Sequence, residues 1–370
     1  MSKLNWKKVI GWGVAALVVI GVVGTNMYNQ QEQRKDSVKP IVYALLPLSG
    51  PIANTGQEFK KAAELYVKEH PNLPYQFEFV DGQFNPTYSL SAIRSKVLDR
   101  KNPIVVMLSA TAASAVVPFI DSVGGFVLIT SVKSDALNNY HNFQTISIAS
   151  GKGMKLVAEY VSKKYKKIAM FYANSDFGVI NHRYFKTNLS PEVQLNDEIF
   201  DTTNPDIRTQ VLKVLAKKPE AIVISGPAVP AFINLFRELK IQGFKGEIIG
   251  DITFNQPVVL ETLAEGADGI TFLGLDCFLD QPMTPEGKKF KEFFRKNGIV
   301  ASTAHAEGYN SALLLDKVLT EKKQMSQQMF LDMKQMLGSS GPIYFNEPGE
   351  STFSFILTKL KDGKIVPVTE

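Results

Sequence analysis

The feature that most constrains the fold is a regular alternation of short apolar runs with amphipathic segments, which begins at residue 41. The intervening segments have the apolar spacing of helices. Near-continuous apolar strands joined by helices indicate parallel sheets covered on both faces, so we predict an α/β protein. The apolar runs lie at 41–46, 77–80, 104–108, 126–130, 168–172, 221–225 and 247–250.

The alternation is interrupted at three places, which divide the chain into two parts. Residues 133–149, 266–275 and 342–348 lack the strand–helix rhythm and contain extended segments. We therefore predict two doubly wound parallel-sheet lobes joined by three crossover segments. Residues 41–148 and 275–345 are assigned to lobe 1, and residues 149–274 and 346–370 are assigned to lobe 2.

The N-terminus has the pattern of an export signal. Lys3, Lys7 and Lys8 precede an uncharged apolar run over residues 9–24. We assign residues 1–28 to a signal peptide or signal anchor and the polar residues 29–40 to a tether. Cleavage after Gly24 would release the protein into the periplasm, whereas retention of residues 9–27 would anchor it to the inner membrane. Both alternatives place the remaining chain outside the cytoplasm.

Composition and motifs argue against several functions. The net charge is +5, of which +3 falls on residues 1–36, so the remaining chain gives no electrostatic case for nucleic-acid binding. Cys277 is the only cysteine, so no internal disulfide can form. The four histidines are isolated in the sequence, and the glycine-rich segment 150–153 lacks the spacing of a phosphate loop. We predict no enzymatic activity, no cofactor and no metal site.

Small and hydroxyl-bearing residues follow several of the predicted strands. Ser109–Thr111 follow the third apolar run, and Asn174–Asp176 follow the fifth. In open parallel sheets, ligands bind beyond the carboxyl ends of the strands. Serine and threonine at strand ends also cap the helices that follow, and the sequence leaves this structural role open.

Several segments occur in the order found in one family. The run from Leu46 to Gly56, the Phe77–Asp81 strand leading to Asn85-Pro86, and segments 125–130, 168–178 and 341–345 carry this similarity. The chain after residue 40 resembles type I periplasmic solute-binding proteins, specifically the Leu/Ile/Val-binding branch of ABC transporter components. The resemblance implies two lobes, three crossovers, a ligand in the cleft between them, and hinge closure on binding.

The resemblance also implies a set of ligand-binding residues. Ser109, Ala110, Thr111 and Ser134 fall where hydroxyls and backbone amides hold an amino acid's carboxylate, and Asp251 is the only acidic residue near the position of the ammonium partner. Asp251 is one position early and one methylene short, so a helix cap or a surface residue remains an alternative.

The aromatic positions of the family are only partly kept. Phe177 falls at one of them, but Thr55 and Ala228 occupy two others, so the ligand of the family cannot simply be transferred. Lys133, beside Ser134, would favour a more acidic ligand if it faced the site, although a solvated lysine is the simpler interpretation.

The predicted function is an exported solute-binding protein that captures a small polar ligand, an amino acid or a related carboxylate, for an ABC permease. The alternative is a membrane-tethered receptor domain that senses the ligand and has no transport role. Retention of the N-terminal segment in the mature protein would favour this second function.

Overall fold

The computed structural model describes residues 39–50, 52–148, 151–201, 206–226, 229–263, 268–321 and 323–369. The predicted signal or anchor segment 1–28 and most of the predicted tether therefore lie outside the described residues. None of the described helices has the length and apolar character needed to cross a bilayer.

The strands and helices alternate along most of the described chain. The strands are β1 (Ile41–Leu46), β2 (Gln76–Asp81), β3 (Ile104–Met107), β4 (Phe126–Ile129), β5 (Phe143–Thr145), β6 (Lys167–Ala173), β7 (Gln194–Phe200), β8 (Ala221–Ser225), β9 (Glu247–Gly250), β10 (Thr271–Leu275), β11 (Gln335–Gly338), β12 (Gly341–Glu347), β13 (Glu350–Phe353), β14 (Phe355–Lys361) and β15 (Lys364–Pro367). The helices are α1 (Ala53–Glu69), α2 (Pro86–Val97), α3 (Ala110–Ser122), α4 (Met154–Lys164), α5 (Asp176–Asn188), α6 (Arg208–Leu215), α7 (Val229–Ile241), α8 (Pro257–Leu263), α9 (Pro285–Arg295), α10 (Thr303–Thr320) and α11 (Gln327–Met333).

Lobe 1 is built on a five-stranded parallel sheet with the order β2-β1-β3-β4-β5. In β1, Val42, Ala44 and Leu46 pack in one buried cluster, and Tyr43 and Leu45 pack in another. Alternate side chains of a strand point to opposite faces of the sheet, so both faces are covered. This double burial explains why β1 is apolar throughout and is recognisable from sequence.

Lobe 2 is built on a seven-stranded sheet with the order β15-β14-β10-β9-β8-β6-β7. Neighbouring strands in the series β7-β6-β8-β9-β10 are parallel to one another. The β14–β15 hairpin pairs with β10 in antiparallel orientation. In β6, Ile168 and Met170 pack on one face, and Ala169 and Phe171 pack on the other. The α/β prediction with two parallel-sheet lobes is confirmed.

The chain passes between the two large sheets after β5, after β10 and between β13 and β14. The segment 342–348, predicted to be a crossover, instead contributes to β12 of a small antiparallel sheet with β11 and β13. This small sheet adjoins lobe 1, since the Thr145 amide donates to the Gly349 carbonyl over 2.9 Å. The third passage therefore falls at Ser354, several residues later than the sequence indicated.

The sequence also gave no indication of β7, which forms the edge of the lobe 2 sheet. Its middle residues Asn196, Asp197 and Glu198 are polar and at least partly exposed. An edge strand with one solvated face needs no continuous apolar run, so the signal used for the other strands was missing.

Candidate ligand-binding site between the lobes

A cavity of about 150 Å³ lies between the carboxyl ends of the strands of both lobes. We call it the cleft cavity. Lobe 1 contributes Thr55, Phe84 and Thr111 among others, and lobe 2 contributes Asp176, Phe177 and Thr253. The predicted location beyond the strand ends therefore coincides with a space that both lobes enclose.

Three of the helices that begin at the cleft cavity are capped by a serine. Ser109, Ser175 and Ser302 accept hydrogen bonds from the backbone amides three residues later, over 3.1, 3.2 and 3.3 Å. The first two residues of each helix then line the cavity: Ala110 and Thr111, Asp176 and Phe177, Thr303 and Ala304. Amides at these positions have no acceptor within their own helix, and the helix dipole makes this end favourable for an anion.

The start of α5 lies unusually close to the end of β6. A Cβ atom placed on Gly178 would come within 2.2 Å of the Ala173 carbonyl oxygen. Any larger residue would push the first turn of α5, and with it Asp176 and Phe177, away from the strand end. Gly178 therefore sets the position of two residues that line the cleft cavity.

The two lobes are in contact at the edge of the cleft cavity. The Thr111 hydroxyl of lobe 1 donates to Asp176 Oδ2 of lobe 2 over 3.1 Å. Further out, the Arg183 guanidinium of lobe 2 makes two hydrogen bonds to the Asp135 carboxylate of lobe 1, over 2.6 and 3.1 Å. These pairs can form only when the cleft is closed to this extent.

Of the residues predicted from the sequence to bind the ligand, some line the cleft cavity and others do not. Ala110, Thr111, Phe177 and Thr55 line the cleft cavity. Ser109 adjoins the cleft cavity, as the cap of α3.

Ser134 and Asp251 do not line the cleft cavity. Ser134 is buried and caps a single helical turn by accepting from the Ala136 amide over 3.4 Å. Lys133 also lies outside the lining, and Ala228 lies outside the described residues.

Asp251 is fully buried within lobe 2. Its Oδ2 atom accepts from the Ser225 hydroxyl over 2.8 Å and from the Gly226 amide over 3.0 Å, and its Oδ1 atom accepts from the Thr253 amide over 2.8 Å. Burial raises the pKa of this carboxyl to about 6, although these hydrogen bonds act in the opposite direction. Its partners tie the loop after β8 to the loop after β9, and that second loop carries Thr253 to the cavity.

Two acidic residues of the lining were not assigned as ligand-binding residues from the sequence. Asp176 was visible only as one of the polar residues after β6. Glu307 is almost completely buried, and its Oε1 atom accepts from the Ser147 hydroxyl over 3.0 Å and the Ile148 amide over 2.9 Å. It comes from α10, which also contributes Thr303 and Ala304 and is far along the chain from the remaining lining residues, so no local sequence signal marked it. Among the described residues of the lining there is no lysine, arginine or histidine.

The architecture is therefore that of a two-lobed α/β protein with a cleft that is formed by helix starts and strand ends. A family profile described as "Periplasmic binding protein" matches residues 44–339, and the chain belongs to this family. The resemblance drawn from the sequence is confirmed. Membership of the family implies a location outside the cytoplasm.

Several solved structures have a similar fold. The leucine-binding protein LivK of Thermotoga maritima is 19% identical, with a TM-score of 0.76 over 89% of this chain and 98% of its own. LivJ of Streptococcus pneumoniae, in complex with isoleucine, is 19% identical, with a TM-score of 0.75 over 88% and 97%. A Rhodopseudomonas palustris solute-binding protein, in complex with 3,4-dihydroxybenzoic acid, is 17% identical, with a TM-score of 0.77 over 89% and 95%.

At these identities the similarity concerns the fold. A comparison with curated proteins gives no significant match. The family and its structural neighbours are solute-binding proteins rather than enzymes. The described residues contain no cluster of histidine, cysteine and acidic side chains suited to a metal ion.

Proposed function

We propose that this protein is the exported solute-binding component of an ABC importer and that it captures a small amino acid in the cleft cavity. The observation that carries the proposal is the composition of the lining, in which helix starts from both lobes face the same space as Asp176 and Glu307. Its partners would be the ligand and the importer's membrane permease.

The charges of the cavity favour a ligand that carries both an ammonium and a carboxylate group. The amide groups of the first residues of α3, α5 and α10 suit a carboxylate, which they can bind without a buried cation. Asp176 and Glu307 suit an ammonium group. A simple organic acid would bring one more negative charge to a lining whose described residues include two carboxylates and no base. An amino acid is therefore favoured over a related carboxylate that lacks an amine.

The apolar part of the lining bounds the ligand's side chain. Phe84, Phe177, Ile148 and Ile252 face the cavity together with the polar groups. An apolar cavity of about this volume can hold a benzene-sized molecule. The proposal is therefore directed to amino acids with a compact apolar side chain, such as leucine.

Ligand binding would stabilise the closed arrangement of the lobes. Only contacts that exist in the closed form and are lost in the open form shift this equilibrium. A ligand that bridges Thr111 of lobe 1 and Asp176 of lobe 2 provides such contacts. The permease would then encounter the closed, loaded form.

A matched set of three probes tests the proposal: leucine, 3-methylbutylamine, which lacks the carboxylate, and 4-methylpentanoate, which lacks the amine. We expect leucine to raise the melting temperature most and 4-methylpentanoate least. At a hundred times its dissociation constant, a ligand adds about 2.7 kcal/mol of stability. Tightest binding of 4-methylpentanoate would contradict the charge argument.

A variant pair tests the site itself. Asp176→Asn should weaken leucine binding about tenfold or more, since it removes the charge from a hydrogen bond to the ammonium. Asp99→Asn removes the same charge at an exposed position after α2 and serves as the control. Equal affinities of the two variants would exclude Asp176 from the site.

The N-terminal segment determines whether the protein is released or anchored. We propose that it directs export, and N-terminal sequencing of the mature protein tests its fate. A mature chain beginning near Thr25 supports a released carrier. Retention of residues 9–27 supports an anchored form and favours the alternative of a membrane-tethered sensor.

A further inference from the structure

Phe84 lines the cleft cavity from a segment that the sequence resemblance did not assign to the site. It lies in the loop between β2 and α2, and the residue is 40% exposed although its side chain is large and apolar. A phenylalanine at the mouth of a cavity with this exposure retains apolar surface that a ligand can cover.

The backbone of this loop is strained in the position that it holds. Gln83 has φ 49° and Phe84 has φ 55°, so two consecutive residues with side chains adopt the left-handed conformation. This conformation is unfavourable for a residue with a side chain, because the Cβ atom comes too close to the following carbonyl oxygen. Strain of this kind persists only where neighbouring contacts enforce it, and it is concentrated at binding sites.

The enforcing contacts come from Asp81, at the end of β2. Its Oδ1 atom accepts from the Leu48 amide over 2.9 Å, the Ser49 amide over 3.3 Å and the Gln83 amide over 3.0 Å. Its Oδ2 atom accepts from the Ser49 hydroxyl over 2.5 Å. The carboxylate thereby ties the loop after β2 to the loop after β1.

The far end of the strained loop is also fixed. The Asn85 amide donates to the Gly82 carbonyl over 3.0 Å, and Asn85 Oδ1 accepts from the Tyr88 amide over 2.9 Å as the cap of α2. Phe84 therefore lies between two anchored points. Its ring is presented to the cavity by a loop with little freedom to move.

We propose that Phe84 is an aromatic wall of the ligand site, contributed by lobe 1 as Phe177 is contributed by lobe 2, and that Asp81 is its positioning residue. This inference rests on the proposed function, because it concerns the same cavity. It gives the apolar body of the ligand a ring from each lobe and compensates for the threonine at position 55, where the resemblance implies an aromatic residue.

Truncation of the ring tests the role of Phe84, with leucine as the probe and full-length protein throughout. Phe84→Ala should weaken leucine binding about tenfold through the loss of apolar contact area, and Phe84→Leu should recover part of the loss. Tyr88→Ala is the matched control, because Tyr88 is a 45% exposed aromatic residue of α2 that does not line the cavity. Calorimetric titration measures all four proteins.

A fluorescence reporter tests whether the ligand covers this position. The only tryptophans are Trp6 and Trp12, so a Trp6→Phe, Trp12→Phe background has no other indole. In that background, Phe84→Trp should show a blue-shifted emission and reduced acrylamide quenching when leucine is saturating. Tyr88→Trp should show neither change.

A double-mutant cycle tests whether Asp81 acts through Phe84. Asp81→Asn should weaken leucine binding in the wild-type protein and have little further effect in Phe84→Ala. A merely structural role for Asp81 would lower affinity equally in both backgrounds. Equal losses would therefore overturn the assignment of Asp81 as a positioning residue.

The outcomes separate this inference from the proposed function. If the wild-type protein binds leucine and Phe84→Ala binds it equally well, Phe84 is not a wall of the site and the proposed function stands. If the wild-type protein binds neither leucine nor any other amino acid, the proposed function is overturned, and this inference with it.

Discussion

Asp81 and Asp251 occupy similar places in the two lobes, yet their surroundings differ. Each stands at the end of a parallel strand and accepts hydrogen bonds from two loops. β2 is the edge strand of its sheet, so Asp81 remains partly exposed, whereas β9 lies between β8 and β10, so Asp251 is fully buried.

The two environments shift the pKa values of these carboxyls in opposite directions. Burial tends to raise the pKa of Asp81, but its hydrogen bonds with Ser49, Gln83 and Leu48 outweigh burial and lower it. For Asp251, burial outweighs the hydrogen bonds and raises the pKa to about 6. The same residue type at the same point of the topology is thus ionised more readily at a sheet edge and less readily in a sheet interior.

The largest effect is expected for Asp251→Ala. The substitution leaves the Ser225 hydroxyl and the Gly226 and Thr253 amides without their acceptor in a buried region. We expect the free energy of unfolding to fall by about 3 kcal/mol or more. Urea unfolding followed by circular dichroism measures the change, with Asp99→Ala as an exposed control. If Asp251→Ala lowered the free energy of unfolding less than Asp81→Ala does, the expected order of the two carboxylates would be wrong.

A smaller loss of stability is expected for Asp81→Ala. The loops after β1 and β2 can exchange their hydrogen bonds for bonds to water, because Asp81 is partly exposed. We expect about 1–2 kcal/mol in the same urea experiment. A loss as large as that of Asp251→Ala would show that partial exposure does not reduce the cost.

The pH dependence of stability should separate the two carboxyls by sign. An unfolded aspartate titrates near pH 4, and Asp251 titrates at about 6 when folded, so the folded state binds more protons between these values. The contribution of Asp251 to stability therefore decreases as pH rises from about 4 to 6. The contribution of Asp81, whose folded pKa is lowered, is present above about pH 4 and is lost as pH falls through its folded pKa.

Differences between wild type and variants isolate these two contributions. In the wild-type protein, the contribution of Asp251 to stability decreases as pH rises from about 4 to 6, and Asp251→Asn should abolish this decrease. The contribution of Asp81 is lost as pH falls below about 4, and Asp81→Asn should abolish this loss. Melting temperatures measured at intervals of half a pH unit provide the comparison. If the difference in melting temperature between wild type and variant depended on pH in the same way for both variants, the pKa values of the two carboxyls would not be shifted in opposite directions.

The smallest effect is expected at Asp135, the most exposed of the three carboxylates. Its pair with Arg183 joins the two lobes, but the side chains are 64% and 52% exposed. Exposed pairs contribute about 0–1 kcal/mol and are screened by salt. Asp135→Asn should therefore weaken ligand binding only about twofold at low salt, through a less stable closed form.

High salt provides the control for the Asp135 prediction. At about 1 M salt, where the screening length is about 3 Å, wild type and Asp135→Asn should bind the ligand equally. A difference that persists at high salt would assign Asp135 a role other than its ion pair with Arg183.

Sequence reasoning succeeded where the signal was local. β1 and β6 are apolar on both faces, so their runs identified them, whereas the solvated edge strand β7 produced no run. The strand-end rule singled out Thr111, which the structure places in the lining of the cleft cavity, and its role in ligand binding stays a prediction. The same rule could not distinguish Thr111, which faces the cavity, from Ser134, which caps a turn.

The alternation of buried parallel strands with helices and the concentration of polar groups at strand ends were determined by the sequence alone, because residue periodicity and turn chemistry act over a few neighbouring positions. The solvated edge strand β7 and the small antiparallel sheet were not. Only the tertiary structure decided which polar groups face the cleft cavity. Glu307 reaches it from α10, Phe84 reaches it through a strained loop held by Asp81, and Asp251 is kept away from it by its own hydrogen bonds. These placements depend on contacts between residues distant in the chain, which no local pattern records.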